Sequence, residues 1–277
     1  MLKNFFQFFL AHSIFIGIGA AAMAFETLTL LSFGASYSLF LFLFFSTISA
    51  YNFYWITSGI NGKQNFLSSF FNEKLTNYII FILSAIAAVY YFFEAELLWE
   101  QTLILVCLTV AYSLPLIKAK PFIYLQKIGF LKPFLLALTW AYATVFFPLQ
   151  DSFIRTTGLA TVLFINRFIF ILILCIIFEK KDKELDKANG VKTLVTILSP
   201  RFLYKFVMFL FFIWSFSNIA AYIYGVFNYQ AVALQLVTVF TYLVYLLSSK
   251  KRGYYFYYFL VDGLMILSAI IITLFTI

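Results

Sequence analysis

Long apolar runs separated by short polar breaks cover almost the whole chain, and within each run the apolar positions are continuous rather than alternating. A continuous run of about 20 residues matches a helix crossing a hydrocarbon layer about 30 Å thick, whereas a membrane barrel alternates apolar and polar positions. Nine runs qualify, at 5–31, 36–58, 76–94, 98–116, 130–149, 157–178, 202–224, 229–248 and 254–276. The pattern predicts an all-α, polytopic membrane protein: a nine-helix transmembrane bundle forming a single domain over 1–277. The two longest polar breaks, 59–75 and 179–201, are where exposed chemistry is expected.

Composition agrees. Of 277 residues, 64% are hydrophobic and 11% charged, against about a quarter charged in soluble domains. This excludes a separate water-soluble domain. The apolar run after Lys3, ending in "GAAAMAFE", also has the look of a signal peptide. Small residues at helix contacts explain it as well, and the run is kept as the first helix. Cys107 and Cys175 fall inside predicted helices and indicate no disulfide framework.

The net charge of +8 changes the picture only through its distribution, because 17 of the 19 basic residues fall on one side of the nine-span arrangement. These are Lys3, the lysines of the 59–75 break, Lys118, Lys120, Lys127 and Lys132, the 179–205 cluster, and Lys250 to Arg252. The positive-inside rule makes that side cytoplasmic, with the N-terminus inside and the C-terminus outside. The basic residues mark topology, and no nucleic-acid partner is expected. Glu94, Glu96, Glu100 and Asp151 lie on the opposite side, and Glu26 is expected near that outer interface. Tyr254, Tyr255, Tyr257 and Tyr258 fall where an interfacial aromatic belt is expected.

One short segment, "FEKKDKELDKANGVKTL" at 178–194, carries nine of the 30 charged side chains. If the sixth helix continues past Phe178, Glu179, Asp182 and Asp186 share a face and Lys180, Lys183 and Lys187 lie beside them. Carboxylates next to lysines at the mouth of a helical bundle suit a divalent cation bridging to a phosphate; Mg²⁺ typically takes one or two carboxylates plus phosphate oxygens. The same pattern is also that of a solvated, topology-fixing loop.

The segment "DKELDKANGVKTL", with its Asp182/Asp186 pair and the Gly190, Thr193 and Leu194 that follow, resembles the second aspartate motif of the UbiA superfamily of intramembrane prenyltransferases. "AYSLPLIKAK" at 111–120 and "LKPFLLALTWAYATVFFP" at 131–148 are also similar to that family. The resemblance implies a nine-helix bundle in which Mg²⁺ on two aspartate motifs activates a polyprenyl diphosphate. The isoprenyl group then passes to a hydrophobic acceptor, often an aromatic ring or quinone precursor. The expected location is multi-pass, in the cytoplasmic membrane of a bacterium. Carried over, Asp182 and Asp186 hold Mg²⁺, with Glu179 beside them. Asn52, Lys118, Lys120, Lys187 and Lys192 are candidates for the diphosphate.

The first motif departs from the family: "NFYWITSGI" keeps Asn52 but has Ile56 and Ile60 where the aspartates belong. Isoleucine cannot coordinate a metal. Three readings follow: one metal cluster with lysines suffices, the protein binds an isoprenoid diphosphate without turning it over, or the scaffold serves another task such as transport. Glu73 is the lone acid of the 59–75 break and a candidate replacement.

Deep in the apolar runs, Arg167 should find a partner inside the bundle. Asp262, at a compatible depth, is expected to be that partner. His12 has no spaced ligand nearby and is not expected to hold a metal. Asn218 and Gln235 are expected either to line a cavity or to bond helix to helix.

Overall fold

Residues 2–34, 36–58, 73–113, 131–150, 157–188, 190–250 and 252–276 are described by the computed structural model. Their regular secondary structure is entirely helical: α1 Leu2–Ala11, α2 Ile14–Leu30, α3 Tyr37–Ser58, α4 Glu73–Glu94, α5 Trp99–Ser113, α6 Leu131–Ala141, α7 Thr157–Ala188, α8 Leu194–Ile197, α9 Pro200–Ile223, α10 Asn228–Leu247 and α11 Asp262–Thr276. Two π-helical turns, Tyr142–Phe146 and Phe256–Val261, adjoin α6 and α11. Seven of the described helical segments are long and apolar enough to cross a membrane; Ile14–Leu30 (17 residues) and Trp99–Ser113 (15 residues) are shorter apolar helices.

Helices adjacent in sequence pack side by side: α2 on α3, α3 on α4, α5 on α6, α6 on α7, α9 on α10 and α10 on α11, while α7 also packs on α9. The last helix, α11, returns to pack on α2, so the bundle closes on itself. Its outer surface is apolar, with Phe212 68% and Ile223 75% exposed, as lipid contact requires.

The first predicted span is not one helix. It breaks at Ser13, whose φ of 63° and ψ of 16° are left-handed. Two side chains stabilise the break: Asn52 Nδ2 donates to the His12 carbonyl at 3.2 Å, and His12 Nδ1 lies 2.9 Å from Asn77 Oδ1.

By contrast, α7 runs unbroken to Ala188, ten residues past the predicted end at Phe178. Its 32 residues are about 48 Å long, more than the hydrocarbon thickness, so its charged end projects beyond it. The helix stops at Gly190 (φ 67°), whose N–H donates to Lys187 O at 3.1 Å while Val191 N–H donates to Asp186 O at 2.8 Å. This is a Schellman ending, and the left-handed position explains the glycine. Thr193 then caps α8, its hydroxyl accepting from Thr196 N–H while the Thr196 hydroxyl accepts from Thr193 N–H. Ser199 caps α9 with Pro200 in its first turn.

Inside the bundle a polar ladder joins three helices. Trp214 Nε1 donates to Asn166 Oδ1 at 2.7 Å, Asn166 Nδ2 donates to Asn218 Oδ1, and Asn218 Nδ2 donates to Thr238 Oγ1 at 3.0 Å. Gln235 Nε2 donates to Ser215 O at 3.0 Å. Asn218 and Gln235 therefore bond helix to helix. Nor is the tyrosine run wholly an interfacial belt, since Tyr257 is buried and Tyr258 accepts a hydrogen bond from Lys181 Nζ at 2.8 Å.

Candidate active site

The extension of α7 beyond Phe178 carries the acidic stripe. Asp182 and Asp186, one turn apart, are half-buried and within electrostatic reach of each other. Glu179, a turn deeper, is engaged elsewhere: its Oε2 accepts from Val195 N–H at 3.4 Å, which ties α7 to the start of α8. Among the described residues, no three His, Cys, Asp or Glu side chains gather into a metal cage. The Asp182/Asp186 pair fits an ion that takes two carboxylates and completes its shell with phosphate and water, the habit of Mg²⁺.

Facing this pair is a cation contributed by another helix. Lys132, in the first turn of α6, lies within electrostatic reach of Asp186 and Glu179, yet makes no ion pair with either inside 4.0 Å. Lysine and carboxylates are therefore near enough to interact but not in contact. Lys132 is held by aromatic residues: Nζ donates to Tyr54 Oη at 3.2 Å and lies 5.3 Å from that ring, which stacks on Tyr112 at 6.1 Å. Further along α3, Tyr51 accepts from Trp140 Nε1 at 3.3 Å and meets its ring edge-on. Side chains from α3, α5, α6 and α7 thus gather around Lys132, charged groups beside aromatic ones.

Compared with known proteins by sequence, the chain matches no family model and no curated protein. By structure it is similar to the apo form of a UbiA homologue from Aeropyrum pernix K1, with a TM-score of 0.66 at 11% identity, covering 96% of this chain and 97% of that one. It is also similar to a digeranylgeranylglyceryl phosphate synthase studied in membranes, with a TM-score of 0.56 at 15% identity and coverage of 96% and 95%. The chain has the UbiA fold. At these identities the likeness concerns the path of the chain.

Within the UbiA fold the remaining candidates separate. Asn52 is fully buried, and its amide donates to Ile48 O at 2.8 Å and His12 O at 3.2 Å. Both amide hydrogens are used, so Asn52 has no donor left for a phosphate; it braces the break in the first span, and its buried Oδ1 has no partner. Lys187 and Lys192 are exposed and border a shallow hollow with Gly190 and Thr196. Lys180 Nζ sits 3.6 Å from the Tyr245 ring and donates to Ser248 Oγ, packing α7 against α10. Lys118, Lys120 and Ile60 lie outside the described residues, as does the side chain of Glu73; Ile56 is half-buried on α3.

The expected Arg167–Asp262 pair does not form. Arg167 Nη2 lies 3.2 Å from Glu26 Oε1 and Nη1 lies 3.3 Å from Glu26 Oε2, with further donation to Met23 O and Thr27 Oγ1. Glu26 is 2% exposed, so the expectation that it reaches the outer interface is also corrected. Both corrections share a cause: α11 packs on α2 and the Tyr142–Phe146 turn packs on both α2 and α7, which brings Glu26 inward to Arg167.

Sequence reasoning placed Lys132 at the start of a helix but gave it no role beyond topology. The signal it lacked was the pair of tyrosines on α3 and α5. Lys132→Met should reduce any turnover of a prenyl diphosphate by about 100-fold, because a preorganised cation at a developing oxyanion is worth about that much. Steady-state diphosphate release by wild type and variant at matched folding measures it.

Proposed function

We propose that this chain is a membrane prenyltransferase of the UbiA superfamily. It transfers an isoprenyl group from a polyprenyl diphosphate to an aromatic or quinone-precursor acceptor, with Mg²⁺ held by Asp182 and Asp186. The observation that carries the reading is Lys132, held by Tyr54 within electrostatic reach of Asp186 but not ion-paired with it, with the aromatic pair Tyr51 and Trp140 on the same two helices. The fold likeness over 96% of the chain supports it.

In this reading the chain's residues divide the work. Asp182 and Asp186 would hold Mg²⁺, which would supply charge neutralisation to a leaving diphosphate. Lys132, fixed by Tyr54, donates to a phosphate oxygen as negative charge develops there. Tyr51 and Trp140 present ring surfaces to the allylic cation and keep water away from it. The lysine-rich end faces the cytoplasm, and the polyprenyl tail lies in the bundle or the surrounding lipid.

Ile56 and Ile60 favour a second reading, in which the chain binds an isoprenoid lipid without turning it over or moves a small molecule. One experiment separates the two: detergent-purified protein is given geranyl, farnesyl and geranylgeranyl diphosphates with Mg²⁺ or with EDTA, and diphosphate release is followed. Mg²⁺-dependent release is expected; thermal stabilisation by the diphosphates without release would favour the binder.

A further inference from the structure

Asp262 stands apart from the other deep polar groups. Arg167 and Glu26 satisfy each other, and the Asn166, Trp214, Asn218 and Thr238 ladder is closed. Asp262 is 6% exposed, and its Oδ2 is buried with no hydrogen-bond partner. Among the described buried side-chain atoms left without a partner, it belongs to the only ionisable group. A bare carboxylate inside a membrane bundle is costly and marks a working position by default.

Its setting is built rather than incidental. Asp262 is the first residue of α11, directly after the π turn Phe256–Val261, and such turns re-aim the residues that follow them. Tyr51 on α3, and Cys175 and Lys181 on α7, lie within its electrostatic reach. Cys175 lies one turn further in than Glu179 and within reach of Glu179 and Lys132 as well. Tyr51 and Cys175 therefore link Asp262 to the charged end of α7, and Tyr51 is in turn bonded to Trp140 on α6.

We infer that Asp262 receives the acceptor. The donor that Oδ2 lacks is a hydroxyl on the acceptor substrate, and the carboxylate takes the proton that prenylation releases. This deepens the prenyltransferase reading and rests on it. The prenyl carbon–oxygen bond breaks with its electron pair leaving on the diphosphate. An electron pair of the acceptor forms the new bond to that carbon, and one proton passes from the acceptor to Asp262. Atoms and charge balance without an oxidant. The acceptor class is accordingly hydroxylated: a phenol, a quinol or an alcohol.

The test uses the full-length, Mg²⁺-loaded protein in detergent with geranylgeranyl diphosphate and a panel of hydroquinones, phenols and long-chain alcohols, each paired with its methyl ether. Asp262→Asn keeps size and removes proton uptake. It should lower prenylated product about 100-fold, the usual scale for a lost general base. The KM for the diphosphate should stay within about two-fold of wild type, and diphosphate release should continue with prenyl alcohol formed by capture of water. Asp262→Glu should restore part of the transfer, and the methyl ethers should not serve. Wild-type transfer in Asp262→Asn, or equal loss of release and transfer in a folded variant, overturns the inference. Diphosphate release by wild type without prenylation of any hydroxylated acceptor sinks the inference alone, whereas no release from any prenyl diphosphate sinks the prenyltransferase reading beneath it.

Discussion

Replacing Asp182 and Asp186 together by asparagine should abolish Mg²⁺-dependent diphosphate release, a loss of at least about 10³-fold. Removal of one preorganised group at a developing charge already costs about 10²–10³. Here the pair is the only acidic cluster near the site among the described residues that is not spent on structure. Glu179 is tied to Val195, and position 56 carries isoleucine where the family places an acid. The variant should remain folded. Asp182 gives up only a 3.8 Å contact with Lys181 in which both side chains are partly exposed, and such pairs are worth about 0–1 kcal/mol. A melting temperature within a few degrees of wild type, with release gone, is therefore the expected combination. Of the single variants, Asp186→Asn should be the more damaging, since of the pair it is Asp186 that lies within electrostatic reach of Lys132. Retained Mg²⁺-dependent release in the double variant would remove these aspartates from the mechanism.

Legibility in the sequence followed the strength of each physical signal. Helix type was legible because a membrane demands long apolar runs, and the Asp182/Asp186 face was legible because residues four apart on a helix must adjoin. The break at Ser13 was not, since the residues stabilising it, Asn52 and Asn77, come from two other helices. Depth alone matched Arg167 to Asp262, but depth says nothing about which way a helix is turned. Only the packing of α2 near α7 identifies Glu26 as the partner. Lys132 was obscured for a similar reason: a lysine at a helix start is explained by topology alone until the rings around it are seen.

The Arg167–Glu26 pair should govern stability, and the order of its variants is fixed by chemistry. Both side chains are buried, 5% and 3% exposed, and removing one member of such a pair typically costs about 3–5 kcal/mol. The two single losses are not equivalent. Arg167→Met leaves Glu26 alone, but a carboxylate can take up a proton and become neutral. Glu26→Leu leaves a guanidinium that cannot lose its charge, with only Met23 O and Thr27 Oγ1 to accept from it. Glu26→Leu should therefore be the most destabilising, Arg167→Met intermediate, and the double variant the mildest, because no buried charge remains. Unfolding in detergent, monitored for all four proteins, measures the coupling. A double variant whose cost equals the sum of the singles would mean that the two groups do not act as a pair.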